Sequence, residues 1–514
     1  MSTSEPETTS QPVTEISLQV EAPDPETEIF VIDGKFRLQT RGVGRLNAHL
    51  QPGIYKVKCR TGAVTDEQLV VLRDEAKVIK LARLSFSSPV PLNETTKTHE
   101  YHMEAAAKES TKVHVTAGAG SWIFVFARDW TTSDKTPISW NPAMGLSLED
   151  EFGNTIVDLA SASVANLSRD PCAACNIQLN PGQYRLKLNL PSVNGETQGS
   201  LEQAVVASPG WQTQIFLLQR PYGTQPADRR ADLAGAAILL ASQGFDPARA
   251  EFRRIELARL GLANRRQVAS DEIRQMLRMK VENPMLGILA AHLLLLDSEI
   301  DEGLVQTVVT NLRGLLAAPH PDVEALALHF EHSGTYRFQS PPMLRKSWSL
   351  IVDATADRLD LIVPGSLASQ IWDRLWGTDS WLLWVAPEQT IPAIGTATSN
   401  VFDSSQVSGV EATVMAQIAR QSKTIAKPTR SPFPAVTKMQ FTDTRTSSVA
   451  GVAARSIEES SIPEQVPASR PSSLDDAHVK ALVRRLGIPQ ANLKDVLANI
   501  SKKMTIKTFG PEEK

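Results

Sequence analysis

From residue 15 the chain alternates apolar and polar positions with a period of two, beginning with Ile16, Leu18 and Val20. That period predicts strands with one buried face. Further strands are predicted over 29–32, 35–39, 45–50, 54–59, 68–72 and 77–81, punctuated by Asp33-Gly34 and Pro52-Gly53. Glycine reaches the positive φ that hairpin turns require, and proline fixes a turn angle. Residues 15–83 therefore read as a small antiparallel β-module. A second series of short runs includes Trp122 to Phe126, 146–148, 156–159, 175–179, 184–190, 203–206 and 212–218. Many short strands with Gly and Pro turns point to a sandwich over 111–220.

The phrase Leu50-Gln51-Pro52-Gly53-Ile54-Tyr55-Lys56-Val57-Lys58 returns as Leu179-Asn180-Pro181-Gly182-Gln183-Tyr184-Arg185-Leu186-Lys187. Each copy reads as a hairpin whose Tyr and alternate apolar residue face inward while Lys or Arg faces water. The shared pattern resembles that of PEGA-like and carboxypeptidase-regulatory-like β-modules. That resemblance implies accessory pieces that space or present other domains, with no catalytic residue.

After Pro221 the period lengthens towards 3.6. Helices are expected over 233–241, 248–260, 270–280, 284–296, 303–317 and from Pro321, with Ser270 as an N-cap followed by Asp271 and Glu272. Residues 342–386 also read as helical and hold Trp372, Trp376, Trp381 and Trp384. Trp372 and Trp376 stand one helical turn apart. From 387 to 472 Ser, Thr, Ala, Pro and Gln dominate, which predicts a disordered linker. Two short amphipathic helices follow in 473–505, then a tail, 506–514. Within them, Arg484, Arg485 and Lys494 are candidate protein contacts of a docking module; 482–497 also resembles a helix-turn-helix, which implies DNA binding as an alternative, although Asp495 adds negative charge there.

Composition narrows the partners. The 514 residues carry a net charge of -4 and are 42% hydrophobic, so no field over the whole chain would draw it onto nucleic acid or anionic lipid. The first 28 residues hold seven acids and no base, unlike a secretory signal, and 1–14 reads as disordered. The apolar stretch 285–296 is too short to span a membrane. Three cysteines, Cys59, Cys172 and Cys175, are poor material for a disulfide framework. Together these features predict a cytoplasmic protein.

Candidate chemistry is sparse. Cys172-Ala173-Ala174-Cys175 has the spacing of a redox pair or half a zinc site. His99 and His102 are three apart in the polar connector 84–110, so convergence of His99, His102, Cys172 and Cys175 would make a metal- or thiol-dependent site. Gly42-Val43-Gly44 and Gly118-Ala119-Gly120-Ser121 lack the lysine and helix start of a phosphate loop. The four tryptophans read either as core or as a protein-docking patch.

The expected fold is multi-domain α+β: two β-sandwich-like modules, an all-helical domain over 221–386, the linker, and the terminal helices. The expected function is a non-catalytic scaffold or adaptor without a cofactor, recruiting protein partners through the tethered helices and open to homo-oligomerisation. The alternatives are an enzyme at the junction of 99–102 with 172–175, and a DNA-binding regulator.

Overall fold

In β1 (Ile16–Glu21) every second residue is buried, and β4 (Arg45–Leu50) repeats that pattern. They belong, with β2 (Glu28–Asp33), β3 (Leu38–Val43), β5 (Gly53–Thr61), β6 (Val64–Leu72) and β7 (Lys77–Lys80), to one sheet ordered β6-β5-β2-β3-β4-β1-β7. β3 and β4 share a single residue pair, Val43 with Arg45, and the ribbon turns over at Gly44. There φ is 69°, and a Cβ would lie 2.9 Å from the Pro25 carbonyl oxygen. Only glycine combines that backbone with that approach. Leu18, Val20, Ile29, Val31, Val57 and Val70 form the enclosed core.

This computed structural model describes residues 15–386 apart from 131–139, 168–170, 192–198, 223–224, 267, 280, 298, 332–333 and 377–379. The expectations for 1–14, for the linker 387–472, and for the terminal helices with Arg484, Arg485 and Lys494 lie outside the described residues.

The connector holds the short parallel pair β8 (Phe86–Ser87) and β9 (Thr95–Thr96), then helix α1 (Glu100–Ser110). It is pinned by Arg128, which is fully buried and donates to the carbonyls of Ser88, Pro89 and Lys97.

Next come β10 (Val115–Thr116), β11 (Ser121–Arg128), β12 (Leu146–Glu149), β13 (Thr155–Asp158), α2 (Leu159–Ala162), β14 (Val164–Asn166), β15 (Cys172–Leu179), β16 (Gly182–Asn189), β17 (Ser200–Ala207), β18 (Gln212–Pro221), β19 (Arg229–Ala231) and β20 (Ala237–Ala241). One sheet runs β10-β15-β11-β18, with β14 added on β15 and β19 and β20 on β18. The other runs β13-β12-β16-β17. Thr213 on β18 donates to the Val206 carbonyl on β17 at 2.6 Å, joining the sheets. Alternation sends Ile123, Val125, Ile177 and Ile215 to the inner face. On the opposite face Phe124, Phe126 and Phe216 stack with Phe245 and Phe252.

Helices α3 (Ala250–Ala263), α4 (Asp271–Arg278), α5 (Pro284–Leu294), α6 (Glu302–Leu316), α7 (Pro321–Ala327), α8 (Arg345–Ala354) and α9 (Leu367–Gln370) follow. Ser270 caps α4 as expected, accepting from the Ile273 N–H. One buried cluster runs from the sandwich strands into α3, α5 and α6. Arg253 of α3 also holds the first module, donating to both Asp24 carboxylate oxygens at 3.0 and 2.7 Å and to the Leu84 carbonyl at 2.9 Å.

The all-helical expectation for 221–386 is overturned at four strands, the first being β19, which pairs with the end of β18. Residues 237–241 form strand β20, because five consecutive buried apolar residues, Ala-Ile-Leu-Leu-Ala, satisfy a strand buried on both faces as well as a helix. Residues 375–376 and 383–385 form β21 (Leu375–Trp376) and β22 (Leu383–Val385), extending the second sheet from β17. The chain is thus a mixed α+β protein with several sheets and helices, and among the described residues no helix is long and apolar enough to cross a membrane.

Candidate functional site

Both Pro-Gly-x-Tyr phrases depart from the hairpin expectation. β4 pairs with β1 and β3, whereas β5 pairs with β2 and β6; likewise β15 and β16 lie in different sheets. Each phrase is therefore a corner: the first carries the chain between two strands of one sheet that do not pair with each other, and the second carries it from one sheet to another. The tyrosine closes it, since Tyr55 donates its hydroxyl to the Gln51 carbonyl at 2.8 Å and Tyr184 to the Asn180 carbonyl at 2.7 Å. This is the geometry of a tyrosine corner, an OH returned to backbone a few residues upstream. Neither Gly53 nor Gly182 has positive φ. A Cβ at either position would stand 3.4 and 3.9 Å from the Tyr ring, ordinary van der Waals contact, so neither backbone angle nor space demands glycine there.

The proposed meeting of His99, His102, Cys172 and Cys175 fails on strand geometry. Cys172 and Cys175 are three apart on β15, so they point to opposite faces with Cα atoms about 10 Å apart, too far for a disulfide or a shared ion. Cys172 lies opposite Arg128 and Cys175 opposite Val125. None of the three cysteines forms a disulfide, all are buried, and burial pushes the Cys175 thiol up to about 12, the reverse of what a reactive thiolate needs. His102 is buried on α1, while His99, at its N-cap, stacks on Trp130 at 4.5 Å. The described residues contain no group of three His, Cys, Asp or Glu placed to share a metal ion.

The tryptophans divide. Trp381 and Trp384 are core: Trp381 donates to the Ala236 carbonyl at 2.6 Å, and Trp384, on β22, donates to Glu202 at 2.8 Å. Glu202 also meets Arg185 at 3.2 Å, so this polar side of the sheet is an internally paired network. Trp372 is half-buried and Trp376 exposed; they do not share a helix, because α9 ends at Gln370 and Trp376 lies in β21. Two tryptophans thus leave the docking patch, and the other two do not make one helical face.

A cleft of about 650 Å³ among the helices is lined by Arg313, Glu324, Glu331, Tyr336 and Arg358. Its acids are engaged, since Arg313 bonds Glu324 at 2.6 Å and Glu331 at 2.8 Å. Hydrogen bonds to these carboxylates raise the already high Arg313 pKa.

A surface that sequence reasoning passed over lies on the first module. Across the outward face Ile54 pairs with Val71, Lys56 with Leu69 and Ile32, and Ile32 with Leu38. Phe36 closes the end, its ring 5.9 Å from the Lys56 ammonium. Exposure reaches 81% for Phe36, 74% for Leu69, 58% for Ile54, 56% for Leu38 and 45% for Val71. Large apolar side chains contiguous on a surface mark interaction sites, whereas scattered ones do not. Arg41, Lys56, Lys58 and Arg60 flank the patch against two acids, Glu28 and Glu67. The Lys56 hydrogen bond holds the Glu67 carboxyl below its ordinary range. At the opposite end of β5, the Cβ position of Gly62 lies 3.1 Å from Leu260 of α3, so the apolar end stands about 20 Å along the strand from that contact. The readable signal was Leu69-Val70-Val71-Leu72, four apolar residues in a row on a strand that can bury only one face.

No family model matches the chain, and no curated protein matches it. Among solved structures it is similar to the Bacillus anthracis TIE protein at 14% identity, over 35% of this chain and 29% of that one, with a TM-score of 0.15. A likeness that slight carries no argument about fold or function.

Proposed function

We propose that the protein is a non-catalytic scaffold or adaptor, and that the exposed end of its first β-module docks a protein partner. The observation that carries this reading is the contiguous set Phe36, Leu38, Ile54, Leu69 and Val71. The basic flank favours a partner with an apolar patch rimmed by acidic side chains. The remainder of the chain fits a presenting role: the two tyrosine corners brace β-modules of the PEGA-like or carboxypeptidase-regulatory-like kind, and the terminal helices act as a second, tethered docking element. On this reading the protein works in the cytoplasm, where its three cysteines, none in a disulfide, stay reduced.

Affinity capture from the source cells, repeated with the I54D/L69D variant, tests the proposal. Both positions are exposed, so stability should change little, while charge in the patch should remove a partner that wild type retains. Identical partner sets would sink the docking face. A chain truncated after Ala386 tests the tail separately, and unchanged recovery would remove the terminal helices from the scheme.

A further inference from the structure

The first module meets the helices along an extended segment whose acids recur at every second position: Asp24, Glu26 and Glu28. Within the module Arg83 pairs with Asp24 at 3.4 Å, and Arg60 and Arg41 pair with Glu28 at 2.6 and 3.2 Å; facing the segment from the helical side are three more arginines. Arg253 holds Asp24 through two hydrogen bonds, and Arg266 donates to the Gly62 carbonyl and lies 3.9 Å from Glu28. Arg254 is engaged elsewhere, pairing with Glu272 of α4 at 3.2 Å. Glu26, between the two held acids, is 4% exposed, and neither of its carboxyl oxygens has a hydrogen-bond partner among the described residues.

An ionised carboxylate so placed would be stripped of water and left unpaired, beside Asp24, Glu28 and Glu272. Burial is the main influence and lifts the Glu26 carboxyl to about 8, against smaller opposing effects of its own backbone amide and of Arg254. The charged groups around it are thus acids on its own segment and on α4, with Arg253, Arg254 and Arg266 each already committed to another acceptor.

We propose that the seam between the first β-module and α3 is a proton-controlled joint, closed while Glu26 is neutral and loosened when it ionises. The sign follows from linkage. In the closed seam Glu26 keeps its proton up to about 8; in an opened seam it titrates in the ordinary carboxylate range. The closed form therefore binds the proton more tightly, and its advantage is fully present at acidic pH. As pH rises from that range towards 8, the closed-to-open ratio falls by up to tenfold per unit, and then it levels off. The joint would set whether the docking end is held in one orientation or swings free of the body.

Hydrogen exchange of the full chain between pH 6 and 9, corrected for intrinsic rates, reads this ratio at residues 24–28 and in the first turn of α3, with β11 as an internal reference. The expected result is protection at the seam that falls by up to tenfold per pH unit to about pH 8 in wild type, is flat in Glu26→Gln, and leaves β11 unchanged in both. If Glu26→Gln does not fold, Glu26→Met serves the same purpose, and the wild-type comparison of seam with β11 stands by itself. A flat wild-type profile overturns the joint, as does the same slope in the neutral variant. Loss in β11 in step with the seam would also overturn it, by placing the effect in global stability.

Discussion

Removing one hydroxyl tests whether the tyrosine corner closes the first module. Tyr55→Phe deletes the donor to the Gln51 carbonyl, a 2.8 Å contact, and keeps a ring that is only 7% exposed. Packing is retained, so the loss is that of a single neutral hydrogen bond, with a net worth of about 0.5–1.5 kcal/mol. Gln51 is exposed, so its carbonyl recovers water and is not stranded; this puts the expectation near 1 kcal/mol, about a fivefold rise in the opening constant. Tyr55→Ala, which also empties the ring's place, should cost about 3–5 kcal/mol. Amide exchange in the full chain is the assay, read in β1 and β5 and compared with β11. Tyr55 and Tyr184 brace separate cores, so Tyr184→Phe should act on the second module alone and the two effects should add. Unchanged protection in β1 and β5 after Tyr55→Phe would refute the role given to the hydroxyl, leaving the corner held by the ring alone.

Two more outcomes follow from burial. Arg253→Met leaves the buried Asp24 with Arg83 alone, at 3.4 Å, and should lower stability by about 2–3 kcal/mol, less than the full cost of stranding a buried charge, read by calorimetry; a loss below about 1 kcal/mol, the range of an exposed pair, would mean that the clamp is solvated. Because all three thiols are buried and that of Cys175 is pushed up to about 12, a thiol reagent at pH 8 should label none of them until denaturant is added, and fast labelling of the native chain would contradict the placement of β15.

What the sequence disclosed depended on the length scale of the signal. Period-two alternation located the strands of the first module because each buries one face, as β1 and β4 do. The Pro-Gly-x-Tyr phrase revealed a turn but not its pairing, since a corner and a hairpin use the same local residues and differ only in which distant strands flank them. For the same reason 237–241 and 383–385 read as helix: β20 and β22 gain their partners, β18 and β17, from remote parts of the chain. The spacing of Cys172 and Cys175 suggested a site because i,i+3 converges on a helix, but on a strand it diverges. Glu26 gave no local sign, because its burial arises only where the module meets α3 and α4.

The central claim is that this chain acts through the exposed end of its first module. Its most direct test is the affinity of purified wild-type and I54D/L69D chains for a partner recovered by wild type, measured by calorimetry at two salt concentrations. The account predicts at least about a tenfold loss of affinity for the variant, the 1.4 kcal/mol of a modest hot spot, and weaker wild-type binding at higher salt. Equal affinity of the two chains for every partner would contradict it.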